Sequence, residues 1–262
     1  MNPAIEELSA AWRRRAASEG VPVLGAAVSE AAAARALEKA GVDFLVACGP
    51  GSDGAAGLLP FADANVRVLQ AAAQFFAEPR GVPVLAGICG TDPLRLMGRF
   101  LEEIRRAGYA GLMNWPSVGM IDGSFRAALE EARLGYEREV EAVRGAGAAG
   151  LWAAACVFGP DEARAMARAG ARVLVVHAGP GNCSAEEFSR RVREVARAAR
   201  EVRGDAVLLA HTEPLRTHRD FTELWTGTGE LAGFFGGSLF EGRGRPGAEE
   251  VARLRRPPAR EL

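Results

Sequence analysis

Lysine is nearly missing from this sequence: Lys39 is the single one, and the 32 basic side chains are otherwise arginines. A Schiff-base mechanism needs a lysine amine at a strand end. Lys39 sits instead in the alanine-rich helical stretch AAAARALEKAG, which excludes imine chemistry. Cysteine is sparse too. Cys48, Cys89, Cys156 and Cys183 stand far apart with no C-x-x-C pair, against both a zinc ribbon and a disulfide scaffold, and a reducing cytoplasm is the expected compartment. No apolar run approaches the ~18 residues of a membrane span. The segment MNPAIEELSAAWRRR lacks the apolar core of an export signal. Charge of one sign is lacking as well: 33 acidic side chains against 32 basic ones give a formal charge of -1. Neither nucleic acid nor a membrane is expected as a partner. No phosphate-binding G-x-x-x-x-G-K-[ST] loop and no dinucleotide fingerprint occurs, so no nucleotide cofactor is expected.

What the 262 residues do contain is a repeat of short apolar runs: Val21 to Val28, Phe44 to Cys48, Val82 to Ile88, Ala110 to Met113, Leu151 to Val157, Val173 to His177, Ala206 to His211 and Leu231 to Phe235. Most are too short for helices and are apolar on both faces, as strands of a covered parallel sheet should be. Between them lie alanine-rich stretches with helical spacing. After Ser184, for example, Phe188, Val192, Val195 and Val202 keep one apolar stripe. A glycine precedes nearly every run: Gly20, Gly41, Gly81, Gly108, Gly150, Gly170, Gly204 and Gly229. Such a residue lets a helix stop in a left-handed conformation and turn into a strand. Eight strand-helix units of this kind predict an α/β fold, a single (β/α)8 TIM barrel, in preference to an open doubly wound sheet. Residues 1–20 are expected to form an extra N-terminal helix over the barrel floor, 21–250 the barrel, and 251–262 a frayed C-terminal tail.

In such a barrel the chemistry collects at the C-terminal ends of the strands. Asp53, in the glycine-rich turn GPGSDGAAG, and Asp63 and Asn65 follow strand 2; Cys89, Gly90, Thr91 and Asp92 follow strand 3, and Asn114 follows strand 4. Strand 6 ends at His177 and strand 7 at His211-Thr212-Glu213, while Gly236, Gly237, Ser238 and Glu241 follow strand 8. Two of the three histidines thus fall on neighbouring strands at one end, where they and Glu213 could share one ligand or a divalent metal. Asp92 reads as a metal ligand or general base, and equally as the cap of a helix that starts at Pro93. Cys89 reads as a nucleophile or a small apolar filler. Asn114 can offer a donor and an acceptor to a substrate oxygen, and Gly236, Gly237 and Ser238 can hold an anion with backbone N–H groups.

The stretches GLLPFADAN (57–65), PVLAGICGTDPLRLMGRFLEEIRRAGYAGLMNWPSVGMIDGSFR (83–126), FGPDEARAMARAGARVLVVHAG (158–179) and GFFGGSLFE (233–241) resemble the TIM-barrel family labelled phosphoenolpyruvate hydrolase-like. The resemblance implies a relative of the phosphoenolpyruvate mutase and isocitrate lyase group, which breaks or remakes bonds next to an enol or enolate. It implies a lyase or hydrolase acting on a small carboxylate or enol-phosphate-like substrate, and a homo-oligomer. Asp92, His177, His211 and Glu213 are then candidates for proton transfer or metal binding. Cys89, Gly90, Thr91, Asn114 and Gly236 to Ser238 become candidates for holding the substrate, with Arg95 or Arg126 as sources of positive charge. The alternative is a barrel that binds a ligand or protein without turnover. Where the family carries His-Gly-Gly-Pro after strand 7, this chain reads His211-Thr212-Glu213-Pro214, and the K-x-G-x-C-G-H loop of isocitrate lyase is absent.

Overall fold

Strands that are buried along their whole length need neighbours on both sides and cover on both faces, and a closed barrel supplies both. The computed structural model describes residues 3–48, 63–215, 217–236 and 247–256. Its strands are β1 (Val23–Val28), β2 (Phe44–Ala47), β3 (Val84–Ile88), β4 (Gly111–Asn114), β5 (Trp152–Val157), β6 (Val173–Val176), β7 (Val207–His211) and β8 (Gly233–Gly236). All are parallel and pair in chain order, and β8 closes on β1 with Val23 opposite Gly233. The sequence runs thus locate every strand to within one or two residues.

Outside the ring lie α2 (Ala31–Ala40), α3 (Ala64–Phe75), α4 (Met97–Arg106), α5 (Gly123–Glu131), α6 (Tyr136–Ala148), α7 (Pro160–Ala169), α8 (Ala185–Val202), α9 (His218–Gly227) and α10 (Gly247–Leu254), preceded by α1 (Pro3–Ser18). Among the described residues no helix is long and apolar enough to cross a membrane. The barrel interior is filled by rings: Phe44 and Phe235 stack at 6.0 Å. A Cβ on Gly25 would come within 2.3 Å of the Phe44 ring, so only glycine fits beside them. Trp12 of α1 lies 5.6 Å from Phe44 and 6.3 Å from Trp152, both at the beginnings of strands, and so closes the floor as expected.

Three expectations change. Gly41 and Gly170 end α2 and α7 with φ of 102° and 108°, but Gly81, Gly204 and Gly229 are not left-handed. The helices before Gly204 and Gly229 end on extended or irregular residues, Arg203 and Thr228. The Thr-Asp-Pro segment does not open a helix. Residues 91–96 form turns, and α4 begins at Met97 with Leu96 in the cap position, because the Asp92 carboxylate accepts from the Leu94 N–H at 2.9 Å and closes a tight turn first. The segment from 251 is no free tail at its start: Val251 and Leu254 are buried in α10. Arg255 then donates to the carbonyls of Gly41 and Pro22 and pairs with Asp43 at 3.0 Å. Residues 257–262 lie outside the described residues.

Candidate active site

β6 and β7 deliver the two histidines side by side. The His177 N–H continues the ladder to the Val157 carbonyl (2.9 Å), and His211 is the last residue of β7. Their rings lie 4.4 Å apart, and both are buried. Aromatic rings wall them in: Trp115 stands 5.7 and 5.8 Å from the two imidazoles, Phe158 5.5 Å from His177, and Phe235 5.8 Å from His211. Burial, and secondarily the neighbouring His177, push the His211 pKa well below 6.5, so its ring is neutral at physiological pH.

The backbone fixes the tautomers. Nδ1 of His177 accepts from the Gly179 N–H at 2.9 Å, and Nδ1 of His211 accepts from the Glu213 N–H at 3.2 Å. Gly179 has a φ of 81°, a left-handed conformation that glycine adopts without strain. A nitrogen that accepts cannot also carry the proton, so in each neutral ring the proton sits on Nε2. Glu213, half-exposed on the loop after β7, brings Oε2 to 2.9 Å from His177 Nε2. That approach is off the N–H axis, and the buried His177 Nε2 has no aligned hydrogen-bond partner.

Among the described residues, His177, His211 and Glu213 form the one group of potential metal ligands close enough to share an ion, with donor atoms within 4.8 Å of one another. Spacing suits a metal, but the hydrogen polarity does not. A metal-ligating histidine presents one lone pair to the ion and donates its other N–H to an acceptor. Here both Nδ1 atoms face N–H donors, and both Nε2 atoms hold protons. The donor set does not fit a resident divalent ion.

Asp92 stands outside that group and is already engaged. Its carboxylate accepts from Leu94 N–H and from the Asn65 amide (2.9 Å) and pairs with Arg95 (3.3 Å). The Asn65 side chain also accepts from the Cys89 N–H and donates to the Cys89 carbonyl, so it clamps the loop after β3 to the start of α3. The Cys89 thiol is pushed up in pKa, mainly by burial, which disfavours the thiolate a nucleophile needs. Thr91 lies within 3.5 Å of that sulfur, and Gly90 packs against the backbone of Glu139, where an added Cβ would meet Cα at 3.0 Å.

Asn114 is likewise committed. Its amide donates to Glu139 (2.6 Å) and the Cys156 carbonyl (3.1 Å) and accepts from the Cys156 N–H (2.7 Å), bridging the ends of β4 and β5. Glu139, on α6, was not singled out from the sequence. It is 1% exposed and accepts from Asn114, Ser117 Oγ and the Val118 N–H, with no cation among those donors. Burial raises its pKa to about 7 in spite of these bonds. Of the remaining candidates, Arg126 is tied to Glu130 and the Val118 carbonyl, and Gly236 is buried at the end of β8. Gly237, Ser238, Asp53 and Glu241 lie outside the described residues.

Known proteins share this architecture. The ToMV resistance protein Tm-1(GCR237) of Solanum lycopersicum is 38% identical over 239 residues, covering 86% of this chain and 32% of that protein. The chain therefore spans about a third of the length of this curated relative. Oxaloacetate acetylhydrolase bound to 3,3-difluorooxalacetate superposes with a TM-score of 0.55 at 18% identity, over 88% of this chain and 80% of that one. For 2,3-dimethylmalate lyase, a member of the PEP mutase/isocitrate lyase superfamily, the TM-score is 0.54 at 18% identity, over 95% and 85% of the two chains. At such identities these two likenesses are of fold alone. The profile of one family, described as phosphoenolpyruvate hydrolase-like, matches residues 10–243, and the chain belongs to that family.

Proposed function

We propose that the protein is a lyase or hydrolase for a small carboxylate substrate, of the 2-oxo acid or enol-phosphate type, working through an enolate at the C-terminal mouth of the barrel. The observation that carries this reading is the convergence of two buried imidazoles and one reachable carboxylate on a single point at the strand ends. Glu213, half-exposed and with a carboxylate oxygen 2.9 Å from His177 Nε2, takes the proton from the carbon next to the carbonyl. The buried imidazoles face the negative charge that develops on oxygen, where low dielectric strengthens each interaction. Asp92, Asn114 and Glu139 hold the surrounding loops in place. The fold shared with oxaloacetate acetylhydrolase and 2,3-dimethylmalate lyase supports the substrate class, as enzymes whose names both specify small carboxylates.

A second reading, a barrel that binds without turnover, is supported by the plant relative, whose name describes virus resistance and no reaction. A panel of 2-oxo acids and enol phosphates separates the two. The enzyme reading expects product from at least one member, with turnover falling a hundredfold or more in His177→Ala and His211→Ala, in line with roughly 10²–10³-fold for the loss of one donor to a developing oxyanion. Tight binding of a panel member without product would support the binding module. Undiminished turnover in both variants would remove the histidines from the mechanism.

A further inference from the structure

Resting on the reading just given, the hydrogen polarity of the two histidines points further, to how the site holds its substrate. We infer that His177 and His211 form a metal-free cradle of two neutral Nε2–H donors for the planar carboxylate or enolate oxygens of a small 2-oxo acid.

The first support is the pair of identical backbone contacts. In each loop the N–H two residues after the histidine donates to that histidine's Nδ1, from Gly179 at 2.9 Å and from Glu213 at 3.2 Å. The same device used twice on adjacent strands turns the same nitrogen of each ring into a donor. The second support is the unsatisfied atom. His177 is 1% exposed, and its Nε2 has no hydrogen-bond partner, a state that costs free energy unless a ligand relieves it.

The third support is what the chain itself sends there. Glu213 Oε2 rests 2.9 Å from that nitrogen but out of line with its N–H, so a carboxylate is drawn to the spot without making the bond a better-placed one would make. A ligand carboxylate entering along the N–H axis displaces it. The surroundings are apolar: Trp115, Phe158 and Phe235 stand 5.5–5.8 Å from the imidazoles, and in such a low-dielectric setting each N–H donor interacts more strongly with an anionic oxygen.

The test uses the full chain with oxalate, a rigid planar dicarboxylate, and pyruvate as probes. Histidine ¹⁵N–¹H correlation spectra of the free protein should show Nε2–H tautomers at His177 and His211. Oxalate, titrated in the presence of EDTA, should bind and shift both Nε2–H signals downfield. Glu213→Gln should tighten oxalate several-fold by removing the competing charge, whereas His211→Phe, which keeps a ring but loses the donor, should weaken it at least tenfold. The spectra of the unaltered protein decide the matter even where a variant fails to fold. Nδ1–H tautomers, or oxalate binding that requires Mg²⁺ or Mn²⁺ and weakens in Glu213→Gln, would overturn the cradle and leave the carboxylate reading standing. Failure of oxalate and pyruvate to bind with or without metal would overturn both.

Discussion

At Glu139 burial outweighs three hydrogen bonds, and the consequence is a stability that depends on pH in an unusual direction. The folded pKa of about 7 lies above the ordinary 4.5, so the folded chain holds the extra proton between those values. Stability from this group is fullest below the lower value and declines as pH rises through the window. A shift of this size corresponds to at most roughly 3 kcal/mol. Compared with Glu139→Gln, the unaltered protein should gain several degrees in Tm as pH is lowered from about 8 to about 5, at roughly 2–4 °C per kcal/mol for a domain of this size. A difference in Tm that stays flat across that range would show that the carboxylate is ionised throughout. The sequence did carry a signal for this residue. Tyr136, Val140 and Val143 mark the buried stripe of α6, and Glu139 falls on it, whereas Glu137 and Glu141 point to arginines at the surface. A charged residue inside an apolar stripe was legible; its three partners, which come from another strand end and its following turn, were not.

Elements were read with different success according to what fixes them. Strands came through because burial on both faces leaves a plain apolar run. Helix ends did so only where a glycine is truly required. At Gly170 nothing lies within 4 Å of an added Cβ, so Gly170→Ala tests backbone strain alone and should cost about 1–2 kcal/mol in urea unfolding. Gly233 is another case, since its Cβ would fall 1.9 Å from the Val23 carbonyl oxygen at the β8–β1 seam. Gly233→Ala should cost roughly 3 kcal/mol or more, the upper end of overpacking effects. Equal costs at the two positions would contradict the close approach of strands there. The loop after β3 defeated the sequence reading for a related reason. Asp92 and Pro93 have the composition of a helix start, but the Asp92 carboxylate is drawn off by Asn65 and Arg95, groups contributed by other parts of the fold and its turn.

For the whole molecule, the position of the site was legible because barrel topology decides it: residues that end β6 and β7 must meet at one mouth. The direction of their protons was not legible, because it depends on where two backbone N–H groups point. The opposite end is closed by packing and ion pairs. Trp12 plugs the floor against Phe44 and Trp152, while Asp43 gathers Arg15 (2.7 Å), Arg255 and the Leu24 N–H beneath it. Trp12→Ala should therefore lower stability by about 3–5 kcal/mol with little change in substrate affinity, read from urea unfolding and oxalate binding on the same preparation.

The most direct test of an enolate formed at the mouth is isotope exchange, which needs no knowledge of the bond finally broken. A 2-oxo acid incubated with the protein in D₂O should lose its C3 protons, followed by proton NMR, faster than in buffer alone. The exchange should fall at least a hundredfold in Glu213→Gln, where the proton acceptor is gone. Exchange no faster than in buffer, or exchange that survives in Glu213→Gln and in the double variant His177→Ala/His211→Ala, would contradict the account.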